Sequence, residues 1–372
     1  MKVLTVFGTR PEAIKMAPIV HELKQREGVE SVVAVTGQHR EMLDQVLNIF
    51  NITPDHDLNI FQPGQSLTDI VVRSLRGLEE IILNEAPDVL LVQGDTSTVF
   101  AGALSAFYHH VKIGHVEAGL RSHNLYSPYP EEANRRLTGV LANYHFAPTE
   151  ANRDNLLREG YDENTIFVTG NTVIDALAHT TSQDYIFDNP LLNELDYENK
   201  KIILLTCHRR ENMGVPMERI FSSVREIVLA NEDVEVVFPV HLNPKVRSIA
   251  GEVFKDMDRV HLIEPLDYLP FSNLIRRAYL VVTDSGGIQE EAPYFGKPVL
   301  VIREETERWE GVKAGTAKLV GTDSKKIKEE LQKLLDDPKA YEAMAHAINP
   351  YGDGNAAKRI VNHILNEGHN EA

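Results

Sequence analysis

The sequence predicts an α/β protein made of two doubly wound parallel sheets, and three features carry that expectation. Short apolar, β-branched runs alternate with helix-compatible segments, and the alternation occurs twice along the chain. The runs are continuously apolar, as in DVLLVQGD (88–95) and KIILLT (201–206), which marks strands buried on both faces. At 372 residues the chain is long enough for two domains, each with its own core.

Taken in order, residues 2–7 (KVLTVF) read as a first strand. Pro11 suits the first position of the helix that follows, where Met16, Ile19, Val20 and Leu23 recur at helical spacing. Then come a strand at 31–36, helices at 41–50 and 67–84, a strand at 88–95 and a helix to 109. KIGHVEAG (112–119) is a strand with a polar end, 120–130 a loop, 130–141 a helix and 144–147 a strand. The first series ends near 166–175, and an acidic, less regular stretch occupies 182–199. A second series then runs through a strand at 201–206, a helix at 216–230, a strand at 234–240, a helix at 244–255, a strand in RVHLIEP and a short helix after Pro270. It closes with YLVVTDSGGIQEEAPYFGKPVLVIR (279–303), which reads strand, tight turn, helix, strand. The expected domains are 1–170 and 171–354, with a final helix near 355–367.

Composition narrows the function. A content of 42% apolar and 25% charged residues is that of a soluble globular protein. The formal net charge of -17 argues against a broad nucleic-acid or anionic-membrane surface, though local cations still suit a small anionic ligand. The single cysteine, Cys207, excludes an internal disulfide and fits a reducing compartment; with no acid or motif paired to it, it reads as a packed thiol. No run approaches the roughly 18 apolar residues of a membrane span. MKVLTVFGTRPE meets Arg10 and Glu12 too early for a signal peptide, so a cytoplasmic protein is expected.

In doubly wound sheets ligands sit beyond the carboxyl ends of the strands, so the polar residues there are the candidates. In the 279–303 stretch, Ser285, Gly286 and Gly287 let backbone approach a phosphate, and Glu291 stands one turn on to reach a ribose hydroxyl; the plainer alternative is an ordinary turn. Arg10 and Lys15 flank the first helix start, where they converge on one anion or are simply solvated. The turn there is GTRPE, not G-x-G-x-x-G, which weakens any case for a dinucleotide cofactor. Asp95 and Glu117 each follow an apolar strand beside a glycine, as paired acid–base carboxylates do, and Glu131 follows Pro130. A helix cap for Asp95 and a helix first-turn acid for Glu131 are the alternatives. His208, Arg209 and Arg210 together at a strand end suit a diphosphate, with a helix cap or a salt bridge as the alternative. His241, Phe271 and Arg308 say little singly, and no histidine–cysteine set has zinc spacing.

Together FGTRPEAIKMAP, QHREMLDQVL, GDTST, GHVEAGLRS, SPYPEEANRR, HRREN, PVHLNP, TDSGGIQEEAP and NPYGDGNA resemble the non-hydrolysing UDP-N-acetylglucosamine 2-epimerases, in order from residue 7 to 356. The resemblance implies a GT-B fold with its active site in the cleft between two Rossmann-like domains, the last helix crossing back to the first domain, and commonly a homodimer. It implies interconversion of UDP-GlcNAc and UDP-ManNAc with no metal and no nicotinamide. It assigns nucleotide and phosphate contacts to Arg10, Lys15, His208, Ser285, Gly287 and Glu291, with Gly286 in the same turn, places Phe271 near the uracil and Arg308 near the sugar, and makes Asp95, Glu117, Glu131 and His208 catalytic. Some members carry a second, activating UDP-GlcNAc site, matched here by Gln38, Glu131, Arg210 and His241. This chain departs from it with Glu41 where a glutamine is expected and Gly64 where an arginine is, which removes a phosphate partner. TERWEG stands where TERPEG is expected, placing Trp309 in the loop that carries Arg308. A GT-B glycosyltransferase, a hydrolysing epimerase and a UDP-sugar sensor are the competing readings. Three carboxylates speak against the sensor, because binding an anion gains nothing from added negative charge.

Overall fold

The computed structural model describes residues 1–38 and 40–370; His39, within the QHREMLDQVL stretch, lies outside the described residues. The chain forms two compact units, one comprising Met1–His179 with the chain from Tyr351 onward, the other Thr180–Pro350.

The first unit holds β1 (Lys2–Phe7), β2 (Glu30–Val35), β3 (His56–Asp57), β4 (Val89–Gln93), β5 (Lys112–Val116), β6 (Tyr144–Ala147) and β7 (Ile166–Val168). They form one parallel sheet in the order β3-β2-β1-β4-β5-β6-β7. Its helices are α1 (Arg10–Lys24), α2 (Arg40–Ile49), α3 (Leu67–Glu85), α4 (Ser97–Tyr108), α5 (Glu131–Leu141), α6 (Glu150–Arg158) and α7 (Thr172–Thr180). Leu4, Val6, Leu90 and Val92 point from adjacent strands onto Leu78 of α3 and Val99 and Ala103 of α4, which is why these strands are apolar throughout.

The second unit holds α8 (Pro190–Glu194), then β8 (Lys201–Thr206), α9 (Val215–Ala230), β9 (Val234–Pro239), α10 (Pro244–Val253), β10 (Val260–Ile263) and α11 (Tyr268–Arg277). It continues with β11 (Leu280–Thr283), α12 (Gly286–Glu291), β12 (Val299–Val301), α13 (Trp309–Ala314), β13 (Ala317–Leu319), α14 (Ser324–Asp336) and α15 (Pro338–Ala345). Its strands are again parallel, in the order β10-β9-β8-β11-β12-β13. Phe221, Phe238 and Phe254 pack edge to face or tilted in its larger core.

The chain closes with α16 (Ala356–Asn370) in the first unit. Arg26, just past the end of α1, donates to Asn362 at 2.8 Å, and Phe167 of β7 stacks on His363 at 4.1 Å.

The compact units divide after His179 and after Pro350, beside the expected limits of 170 and 354. Asp175 of α7 accepts the N–H groups of Ala356 and Ala357 at 3.2 and 2.9 Å, and Asn171 N–H donates to Tyr351 at 2.7 Å. Those bonds hold α7 and the residues around Tyr351 to the first unit. No described helix is long and apolar enough to cross a membrane.

In each sheet the strand order reverses once, at β1/β4 and at β8/β11, and polar residues gather at the carboxyl ends of those strands.

Candidate active site

In the first unit β4 and β5 run with Gln93 opposite Val116, so Asp95 and Glu117 leave adjacent strands at the same end. Glu117 has a left-handed backbone, φ +63°, a conformation that costs a non-glycine residue about 1–3 kcal/mol. Its carboxylate is gripped. Lys15 Nζ donates to both oxygens at 2.8 Å, and the Gln93 amide donates to Oε2. Lys15, expected beside Arg10 on an anion, is therefore already committed to Glu117. Arg10 opens α1, half-buried, and makes no ion pair among the described residues.

Asp95 accepts from Arg135 Nη2 at 2.5 Å, and Asn134 donates to its carbonyl at 3.0 Å. It does not cap α4; Thr96 does, accepting from Val99 N–H. Arg135 also donates to the Glu117 carbonyl through Nη1. Glu131 is the first residue of α5, and its Oε2 is buried without a hydrogen-bond partner among the described residues. An acceptor taken out of water and left unpaired is costly, and is expected where a ligand group completes it. Gln38 accepts from Thr98 Oγ1 at 3.2 Å.

Two further buried groups frame this end. Glu12 accepts from Gly8 and Thr9 N–H at 2.8 and 2.7 Å and from Thr96 Oγ1 at 2.5 Å, tying the end of β1 to that of β4. Burial pushes its carboxyl up, and those bonds pull it partly back. His115 of β5 bonds the Gly94 carbonyl through Nε2 at 2.7 Å, so Nε2 carries the proton. Burial, with the Arg135 charge next in size, pushes its pKa down to about 3. Gly119, with φ +85°, has no room for a side chain: a Cβ there would fall 2.2 Å from the Asn152 carbonyl oxygen.

In the second unit β8 and β11 pair Thr206 with Thr283, whose hydroxyls lie 2.6 Å apart. Asp284 follows, fully buried. Its Oδ2 accepts from the N–H groups of His208 and Arg209, both at 2.9 Å, and from the Asn212 amide at 3.0 Å. His208 Nδ1 lies 3.3 Å from Asp284 Oδ1, and its ring stacks on exposed His241 at 5.6 Å. Burial lowers the His208 pKa; Asp284 opposes that, while His241 and Arg209 add to it. Near neutral pH the ring is uncharged, and donation from Nδ1 leaves Nε2 as an acceptor. Cys207 is buried, and burial pushes its thiol well up, as befits a packed group. Arg210 is exposed with no ion pair among the described residues, and His241 Nδ1 accepts from Asn243 N–H at 3.1 Å.

Ser285 N–H donates to Thr283 Oγ1 at 2.9 Å, and its hydroxyl has no partner among the described residues. The two glycines that follow differ. A Cβ at Gly286 would fall 2.8 Å from a carboxylate oxygen at the end of the Glu307 side chain, which would have to swing aside, while at Gly287 it would meet Glu291 Oε1 at 3.4 Å. Glu291 ends the six-residue α12. Arg308 is not a solvated cation: its Nε bonds buried Glu290, and its N–H donates to Thr306 Oγ1 at 3.1 Å. Trp309 opens α13, half-exposed, at the position where proline is favoured because no N–H bond is lost there. Phe271 packs from α11 against the core around Leu274 and Ile288.

Sequence reasoning missed Glu12, Gln93, Asn134, Arg135, Asp284 and Glu290. Arg135 carried a signal, four residues beyond Glu131 in SPYPEEANRR and so on the same helix face. Asp284 was visible in TDSGG, but nothing local says that it faces inward.

A family model described as UDP-N-acetylglucosamine 2-epimerase matches residues 21–365. The UDP-N-acetylglucosamine 2-epimerase of Bacillus subtilis is 56% identical over 98% of this chain and 95% of its own. A crystal structure of a UDP-N-acetylglucosamine 2-epimerase is similar with a TM-score of 0.92 and 54% identity, covering 99% of this chain and 96% of that one. The UDP-GlcNAc 2-epimerase of Neisseria meningitidis, solved bound to UDP-GlcNAc, gives a TM-score of 0.84 at 49% identity over 98% of this chain and all of that one. The fold is of the GT-B type that these structures share.

Proposed function

Since the chain belongs to the UDP-N-acetylglucosamine 2-epimerase family, we propose that it interconverts UDP-GlcNAc and UDP-ManNAc without hydrolysis. The observation that carries the reading is the buried, unpartnered Oε2 of Glu131, on the helix that also holds Asp95 and the Glu117 backbone. An oxygen in that state is suited to accept a proton from a bound substrate.

The sugar C2 hydrogen has no carbonyl beside it in the ring, so its removal must be coupled to departure of UDP from C1. The C2–H and C1–O bonds break, C1 and C2 become doubly bonded, and 2-acetamidoglucal and UDP remain held. UDP then adds back to C1 while a proton reaches C2 from the opposite face. Asp95, Glu117 and Glu131 handle the protons, and two faces call for at least two of them. Lys15 acts through Glu117, whereas Arg10 is the cation open to the departing diphosphate. In the second unit His208, Ser285, Gly286 and Gly287 take the diphosphate, Glu291 the ribose and Phe271 the uracil; Arg308, oriented by Glu290, takes the sugar. Neither a metal nor a nicotinamide enters the scheme. The same reading extends to a homodimer that works in the cytoplasm and supplies ManNAc for cell-surface polysaccharide, with neither nucleic acid nor membrane as partner.

The test is incubation with UDP-GlcNAc in D2O, followed by NMR at C2. Deuterium at C2 together with UDP-ManNAc is the expected outcome. Free ManNAc would mean hydrolysis, sugar transfer to an added acceptor would mean a transferase, and binding without exchange would leave a sensor.

A further inference from the structure

We propose that Arg135 is a positioning residue that aligns two of the proton-handling carboxylates with the third, so that α5 sets the spacing of all three. The proposal rests on the epimerase reading above and adds to it a residue that does not touch substrate. Its basis is the set of bonds that successive residues of one helix make to two different strand ends. Asn134 donates to the Asp95 carbonyl at 3.0 Å, and Arg135 Nη2 donates to the Asp95 carboxylate at 2.5 Å. Arg135 Nη1 donates to the carbonyl of Glu117. Glu132 accepts the Ser122 N–H at 2.9 Å, holding the loop that follows. Glu131 stands one turn before Arg135, on the same face.

Three physical points make this more than a stabilising ion pair. Arg135 is 5% exposed, so its charge works in a medium where geometry counts for more than in water. The guanidinium is a rigid planar fork, so its two N–H directions hold Asp95 and Glu117 at a fixed separation, which an ammonium does not do. Glu117 keeps a left-handed backbone that would relax if unheld, and Arg135 grips the carbonyl of that residue. Any slide of α5 moves Glu131 and carries the other two with it.

The test compares unaltered protein with Arg135→Gln, Arg135→Lys and Asn134→Ala by steady-state turnover, C2 deuterium exchange, UDP affinity and thermal melting. For Arg135→Gln, kcat and exchange fall about 100-fold or more while KM and UDP affinity stay within about threefold, since alignment affects the transition state alone. Arg135→Lys, which restores the charge without the fork, recovers less than a tenth of the lost rate, and added guanidinium raises the rate of Arg135→Gln about tenfold. Asn134→Ala keeps the guanidinium and loses about five- to tenfold in kcat, which keeps the proposal testable if Arg135→Gln fails to fold. Turnover within threefold of normal in Arg135→Gln overturns the proposal, as does full recovery by lysine, or an Asn134→Ala enzyme of normal kcat. A loss that tracks UDP affinity or melting overturns it too. If the unaltered chain gives no exchange, the functional reading itself falls, and this proposal with it.

Discussion

Both sheets end in acids, and the two ends use them oppositely. At β4 and β5 the acidic side chains of Asp95 and Glu117 are held by cations and amides, with Glu131 left one oxygen short of a partner. At β11 the acid turns inward: Asp284 is fully buried and gathers two backbone N–H groups and an amide from the His208–Asn212 turn. Asp284 shapes the loop whose other groups are proposed to meet the diphosphate, whereas the first unit holds the carboxylates proposed to handle the protons. A carboxylate at a strand end in a doubly wound sheet is thus not evidence of catalysis. What distinguishes the two cases is what holds the carboxylate: Asp284 is tied by backbone N–H groups and an amide of its own loop, whereas Asp95 and Glu117 are held by the cations Arg135 and Lys15, and Glu131 keeps a buried oxygen with no partner among the described residues.

That difference breaks most sharply on amide substitution. Glu131→Gln is expected to lower kcat by about 10³-fold while UDP affinity stays within about threefold, read by turnover and by titration calorimetry. Asp284→Asn should do the reverse. It places an amide against three donors, weakens UDP binding through the disordered turn and costs about 2–4 kcal/mol in urea unfolding; a stable variant with normal UDP affinity would make the two acids equivalent.

The first unit also carries a pH liability. His115 and His145 face each other across β5 and β6, with pKa values pushed down to about 3 and about 4, in both cases chiefly by burial. The unfolded chain protonates these rings near pH 6.5 and the folded chain does not, so their contribution is complete above that pH and lost as pH falls. From pH 6.5 to 5 the loss is about 2 kcal/mol for each ring, and His145→Phe should remove that ring's share, so that urea stability falls by about 2 kcal/mol less over this range. The smallest effect lies furthest from the strand ends. Asp175→Ala uncaps α16 at a cost of about 1 kcal/mol, visible as a melting shift of a few degrees with kcat unchanged.

Strands buried on both faces announce themselves as unbroken apolar runs, so β1, β4, β8 and β11 were legible at nearly their true limits. The two-residue β3 and the strand β13, with sequence AKL, were not, because each is defined by its neighbour rather than by its own residues. The first unit runs on to His179, beyond the expected 170, since what keeps α7 in it is a bond from Asp175 to residues far along the chain. At the site the residue types were legible and the partners were not. Lys15 reaches Glu117 across 102 positions and Asp284 reaches His208 across 76, distances over which periodicity carries no information.

The return of the chain to the first unit has a consequence for biosynthesis. The second unit, Thr180–Pro350, leaves the ribosome with all its strands before α16 exists, and so is free to fold first although it comes second. Until α16 is synthesised, Asp175 has no N–H groups to cap and Arg26 has no Asn362. The unit that carries Asp95, Glu117 and Glu131 is then the last to be finished, and a chain cut after Pro350 would hold all of the second unit and a first unit still lacking α16.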